Sequence, residues 1–364
     1  MNLPRPCSLP LWTVAGPLAA CALLGAVWGR PLGGLVAVAI AVALVACVMV
    51  AVQHAETVAH RVGEPFGALI LALAVTVIEV SLIVSLKLFG GAGQDALARD
   101  TVFATVMIVC NGIVGLCLLA GALRNHVAVF RVEGSSPALA VLIPLTTLAL
   151  VLPQFTTTTA GPTYSKLQLA FAGLMSLLLF GVYVFVQTIR HREHFLPIHT
   201  PGDADDGHGE PPAQRTAVAA FALLCVALVA VVGLAKTLAP GIEAVVRAIG
   251  APSSFVGVII ALIVLLPETG AAFRAAIRNR MQISLNLALG SALATIGLTI
   301  PAIGLVAIVF DMPMVLGLPP KEIVLLVLTF AVSIITLASG RATVLHGTVH
   351  LVLFAAFLFL SIVP

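Results

Sequence analysis

The chain has 364 residues, 60% of them hydrophobic and 9% charged, with a formal net charge of +3. So little polar surface cannot cover a water-soluble globule of this size, and an all-α integral membrane protein is expected, with lipid as its surroundings. The positive charges are scattered rather than massed in a tract, so nucleic acid is not an expected partner.

Apolar runs long enough to cross about 30 Å of hydrocarbon fall at 9–29, 33–52, 65–89, 101–123, 137–154, 166–188, 216–236, 254–273, 282–309, 322–339 and 344–363, eleven expected transmembrane helices. The first run follows a single Arg5 and resembles a secretory leader in position. A second apolar run follows at once and the cleavage pattern ACALLGA is weak, so it is read as a helix that stays in the membrane. Between the sixth and seventh runs lies RHREHFLPIHTPGDADDGHGEPPAQR, rich in Pro, Gly, Asp and His, with too little apolar area to fold alone. Its Asp203, Asp205, Asp206, His208 and Glu210 do not match an EF-hand, and a disordered linker is expected there.

The organisation expected is an extra N-terminal helix (1–30), a first five-helix repeat (31–189), the acidic linker (190–215) and a second five-helix repeat (216–364). An odd number of helices per half makes the halves enter the membrane from opposite sides. The sequence carries the echo. Phe66 leads Glu79 by 13 residues, as Phe255 leads Glu268, and the next helix of each half carries Asn-x-x-x-Gly, at Asn111–Gly115 and Asn286–Gly290. Inverted repeats of this kind place a transport site at the repeat interface near the bilayer midplane.

Glu79 and Glu268 are each the fifteenth residue of their runs, counted from Pro65 and Ser254. A carboxylate at that depth costs roughly 2.5–3.5 kcal/mol even on a lenient insertion scale, and no Lys or Arg lies at comparable depth to neutralise it. Two such groups brought together repel and lose hydration, a penalty relieved by either a cation or protons. That competition is the physical basis of an antiporter, and Ca2+ suits such hard oxygen ligands. The transported species expected are Ca2+ (or Na+ or K+) and H+, with no resident cofactor.

Pro267 lacks an N–H, so the Ile263 carbonyl should lose its helical donor and become available as a ligand. Asn111 and Asn286 are ligand or gating candidates, while Gly115 and Gly290 are read as packing residues. Thr76, Ser81, Thr269, Ser284 and Ser291 form a second rank of hydroxyl ligands. In HAETVAHRVGEP, residues 54–65, a solvated connector is expected, with Glu64 on the cation entry path; the pattern is not HExxH. His346 and His350 share a helix face, suiting packing and a proton path equally. The six cysteines stand apart, without zinc-binding spacing.

Assigning loops to alternate sides puts eleven of the Lys and Arg residues on one face, including Arg124, Arg131, Arg190, Arg192, Arg278, Arg280 and Arg341, and seven on the other. The richer face is read as cytoplasmic, which gives a cytoplasmic N-terminus, an external C-terminus and a bacterial inner-membrane location.

The segments GEPFGALILALAVTVIEVSLIVSL, LLPETGAAFRAAIRNRMQISLNLALGSALATIGLTIP and SGRATVLHGTVHLVLFAAF resemble bacterial ChaA-type calcium/proton antiporters of the calcium/cation antiporter superfamily. The resemblance covers roughly residues 50–364. It implies two inverted five-helix repeats, Glu79 and Glu268 as exchange carboxylates, and Ca2+ or Na+ leaving the cytoplasm as protons enter. The Gly-Asn-x-x-Glu pattern of the wider superfamily stands here as Thr76-Val77-Ile78-Glu79 and Leu265-Leu266-Pro267-Glu268. A monovalent Na+(K+)/H+ antiporter is the alternative. A cation channel and an intramembrane enzyme rank lower, the latter because no catalytic motif is present.

Overall fold

The computed structural model describes residues 9–29, 34–63, 66–89, 94–196, 212–312 and 314–363, without the side chains of 66–69, 71, 85–89 and 94. Its helices are α1 (Leu11–Val27), α2 (Gly34–Val62), α3 (Phe66–Phe89), α4 (Leu97–Asn125), α5 (Val132–Gln154), α6 (Lys166–Arg190), α7 (Arg192–Phe195), α8 (Gln214–Ala248), α9 (Phe255–Val264), α10 (Leu266–Ile277), α11 (Met281–Val309), α12 (Pro320–Ala338) and α13 (Val344–Ile362). Two short strands, β1 (Ala128–Val129) and β2 (Arg341–Ala342), pair antiparallel.

Among the described residues, eight continuous helices are long and apolar enough to cross a membrane, and the bent pair α9–α10 makes a ninth. The two other expected positions hold the apolar helices α1 (Leu11–Val27) and α3 (Phe66–Phe89), and the described residues do not establish the count of eleven spans.

The helices form two compact units, residues 1–92 with 200–245 and residues 93–199 with 246–364. These units do not follow the two sequence halves, since each takes helices from both. In the first unit α2 packs on α1 and α3. The thiols of Cys21 and Cys47 point to the Val226 and Ala227 carbonyls of α8, and the Lys236 ammonium lies 5.2 Å from the Trp28 ring centre. Here the structure differs from the connector expected at 54–65. No proline or glycine interrupts 53–62, so α2 runs on to Val62 and stops at Gly63 with φ +77°. His54 is thereby buried, its Nε2 2.9 Å from the Thr13 carbonyl of α1.

In the second unit α4 is the most enclosed of the candidate spans, contacted by α9, α10, α11 and α13. Gly257 of α9 and Gly347 of α13 allow this, because a Cβ on Gly257 would lie 2.8 Å from the Thr101 backbone nitrogen. The loops of this unit sort to two ends. At one end β1 pairs with β2 and Arg131 N–H donates to Gln282 Oε1 at 2.7 Å. At the other, Val315 N–H donates to the Asp95 carbonyl, Leu318 N–H to the Leu150 carbonyl, and Lys166 pairs with Asp311 at 2.7 Å. The Lys166 ammonium, by hydrogen bond and by charge, holds the Asp311 carboxyl below its usual range. Both side chains of that pair are largely exposed, so it fixes loop position more than it stabilises the fold.

Candidate functional site

Glu268 sits where the sequence expects a break. With Pro267 unable to donate, α9 ends at Val264, Leu265 leaves helical geometry at ψ −1°, and α10 sets off at 55° to α9. Leu265 turns its N–H to the carbonyls of Ala261 and Ile263, so the Ile263 carbonyl is not left wholly bare. Glu268 thus falls in the first turn of a new helix, where backbone N–H groups and the helix dipole favour negative charge by about 0.3–1 kcal/mol, and more when partly buried. Thr269 in the same turn donates its hydroxyl to the Leu265 carbonyl at 2.7 Å. In transporters with broken helices, half-helix starts near the midplane face anionic groups.

Glu79 has a different setting. It lies in the interior of α3, 1% exposed, with Thr76 also buried and donating to the Ala72 carbonyl at 2.8 Å, and Ser81 half-buried. No break adjoins it, so this acid lacks the helix-start compensation of Glu268. Glu79 belongs to the first unit and Glu268 to the second. Glu64 lies outside the described residues.

The two asparagines are held by protein partners. Asn111 is fully buried inside a π-helical turn, Ile108–Ile113, that interrupts α4. Its amide nitrogen donates to Thr329 Oγ1 at 2.8 Å, and its oxygen lies 3.2 Å from His350 Nδ1. His350 Nε2 lies 3.2 Å from Thr336 Oγ1. The donors and acceptors balance when His350 is neutral with its proton on Nδ1: that N–H donates to Asn111 and Thr336 donates to Nε2. The four side chains tie α4, α12 and α13 together at no more than 1% exposure each. His346, one turn away, has left this network; its Nδ1 accepts from the Thr343 N–H at 3.2 Å as part of a helix cap.

Asn286 does something else. Its amide donates to the Phe195 carbonyl at 2.6 Å and accepts from Gln282 Nε2 at 3.0 Å, which pins the end of α7 to α11. The π-helical turn of α11 is at Thr295–Thr299, beyond this residue, so the repeated asparagines do not share a local backbone. Ser284 is fully buried and Ser291 half-buried on the same helix. The glycines also part ways. A Cβ on Gly115 would meet His350 Cβ at 2.8 Å, whereas nothing lies within 4 Å of one on Gly290, so the packing role expected for both holds at Gly115 alone.

Asn111→Ala is expected to lower stability by about 1–3 kcal/mol, because it strands the His350 and Thr329 groups in a dry interior. Thermal unfolding of the purified protein would register this; an unchanged midpoint would show that the network contributes nothing.

A family model described as "Sodium/calcium exchanger protein" matches residues 32–189 and 219–363. A "Putative ionic transporter y4hA" of Sinorhizobium fredii is 44% identical, over 99% of this chain and 98% of its own length. The "Sodium-potassium/proton antiporter ChaA" of Escherichia coli is 36% identical, over 84% of this chain and 83% of its own. Among solved structures, native YfkE superposes with a TM-score of 0.72 at 18% identity, covering 97% of this chain and 99% of that one; another structure of YfkE describes it as a Ca2+/H+ antiporter protein.

Proposed function

Since this chain belongs to the sodium/calcium exchanger protein family, we propose that it exports Ca2+ from the cytoplasm in exchange for protons, with Glu79 and Glu268 taking the cation or the protons in turn. It is an integral membrane transporter, not an enzyme. The observation that carries the finer reading is the acid beside the broken helix. A carboxylate at the start of a half-helix set off by Pro267 offers oxygen ligands of the kind a hard dication takes.

The pairing of Glu268 with Glu79 rests on the repeated sequence order, Phe-to-Glu spacing followed by Asn-x-x-x-Gly. Ca2+ binding favours both carboxylates ionised; proton arrival on both neutralises the site and releases the ion. Either loaded state spares the membrane two bare charges, and rocking of one group of helices against the rest then exposes the site to alternate sides. Thr76, Ser81, Thr269, Ser291 and the Ile263 carbonyl are the oxygens from which further ligands would come, with Glu64 guiding entry. The asparagines act on this reading as positioning residues, since their amides are engaged with Thr329, His350, Phe195 and Gln282.

The 36% identity to an antiporter named for sodium and potassium supports a second reading, Na+ or K+ in exchange for H+ through the same acids. An inner-membrane location with a cytoplasmic N-terminus and external C-terminus accords with the Arg-rich loop end that carries Arg131 and Arg341.

Inverted vesicles, acidified inside and reporting pH by dye, distinguish these readings. Proton release on adding Ca2+ is expected. Release by Na+ or K+ alone would establish the monovalent reading, and cation leak without proton counterflow would replace the antiporter with a channel.

A further inference from the structure

The segment that leads out of α6 toward the linker holds a cluster that transport does not use. His191, Glu193 and His194 each present one ligand atom, and these atoms lie within 4.8 Å of one another. The two imidazoles stack almost parallel, with ring centres 5.1 Å apart and planes 10° from each other. All three side chains are exposed or half-exposed, so they reorient at little cost.

Their backbone, in contrast, is held. The Glu193 carbonyl accepts from Arg131 Nη1 at 3.0 Å, and the Phe195 carbonyl accepts from Asn286 at 2.6 Å. A Cβ on Gly134 would lie 2.4 Å from the His194 carbonyl, so α7 rests directly on α5 at that glycine. Phe195 packs edge-on to Tyr183 with ring centres 6.1 Å apart. Ordering of the main chain is therefore complete before any ion arrives, which removes a large part of the usual cost of forming a site.

We propose that His191, Glu193 and His194 bind a transition-metal dication of the zinc class. Two imidazole nitrogens and one carboxylate form a three-ligand set that such an ion takes, with water as the fourth ligand. Tetrahedral ligands at the usual bond lengths stand about 3.3 Å apart, and these exposed or half-exposed side chains already hold their ligand atoms within 4.8 Å of one another. Ca2+ is a poor match, since it takes six to eight oxygens and this cluster offers one carboxylate. The site therefore selects a different class of cation from the one proposed as cargo. Through Phe195 and Asn286 an ion bound here would fasten the start of the linker to α11.

The test uses tag-free full-length protein in detergent, titrated with Co2+ as a visible stand-in for Zn2+. One Co2+ per chain is expected, with the absorption of a low-coordinate site, displaced by Zn2+ and not by excess Ca2+. His191→Ala and His194→Ala should each weaken it by more than about tenfold. Both variants should keep the parent's melting temperature and size-exclusion profile, which shows that they fold, and Glu268→Gln should leave the Co2+ spectrum intact. Three results would overturn the site: no Co2+ signal, histidine variants that titrate as the parent does, or loss of the signal in Glu268→Gln. Because the readout is metal binding, failure of the transport reading leaves this outcome unaffected.

Discussion

Glu268→Gln and Glu79→Gln should each reduce cation-driven proton movement by roughly a hundredfold or more, and the double variant should be little worse, since groups that act as a unit are non-additive. Glutamine keeps the size and most hydrogen-bonding capacity of glutamate but can neither ionise nor release a proton. The same substitution has the opposite sign for folding. Glu79 is 1% exposed within α3, so a neutral amide at this depth removes a costly potential charge, and the melting temperature of Glu79→Gln should hold or rise. A purely structural acid would behave otherwise, losing stability along with transport. Dye-reported proton flux measured beside thermal unfolding on the same preparations separates the two. Retained flux in both single variants would remove these acids from the mechanism.

The second large effect is expected at Gly347. A Cβ there would fall 2.5 Å from the Leu119 nitrogen, 2.8 Å from its Cα and 2.9 Å from the Gly115 carbonyl oxygen, all main-chain atoms that cannot swing aside. Gly347→Ala must push α13 off α4, at about 1–3 kcal/mol, and Gly347→Leu should yield no monodisperse protein. Loss extends beyond sterics because His350, one turn on, reaches Asn111 across this same contact. Gly290→Ala supplies the control. With nothing within 4 Å, the added methyl should leave the melting temperature unchanged or raise it slightly, as alanine favours the helix by up to about 1 kcal/mol. Size-exclusion profiles and melting curves of the three variants would decide, and a well-folded Gly347→Leu would show that the helices pack less closely than described.

What the sequence revealed and what it hid divide along a physical line. Apolar length is a local property, so most membrane helices were legible within a few residues, and Pro267 announced its own bend because the missing N–H acts on the adjacent turn. Side-chain partners across the fold leave no local trace. Nothing near Asn111 names Thr329 or His350, 218 and 239 residues away, and nothing near Asn286 names Phe195. The equal weight on His346 and His350 reflects that limit: a shared face says both point one way, not that one is buried in a network while the other caps its helix. The π-helical turns and a two-residue strand pair are likewise too short to leave a periodic signal. The continuation of α2 to Val62 was missed for a different reason. Polar residues from Gln53 onward read as a loop, although an uninterrupted helix accepts them when one face stays packed, as His54 does against Thr13.

The division of helices between the two units also bears on how the protein is made. The first unit needs residues 200–245 and the second needs residues 246–364, so translation of the first half delivers the parts of two cores and completes neither. Strand β1 waits for Arg341–Ala342, near the very end of the chain. Nascent α4, with its buried Asn111, must therefore be sheltered by insertase or lipid until synthesis is nearly done. Two separately produced halves, cut within the linker, should consequently be inert alone and regain activity only when co-expressed.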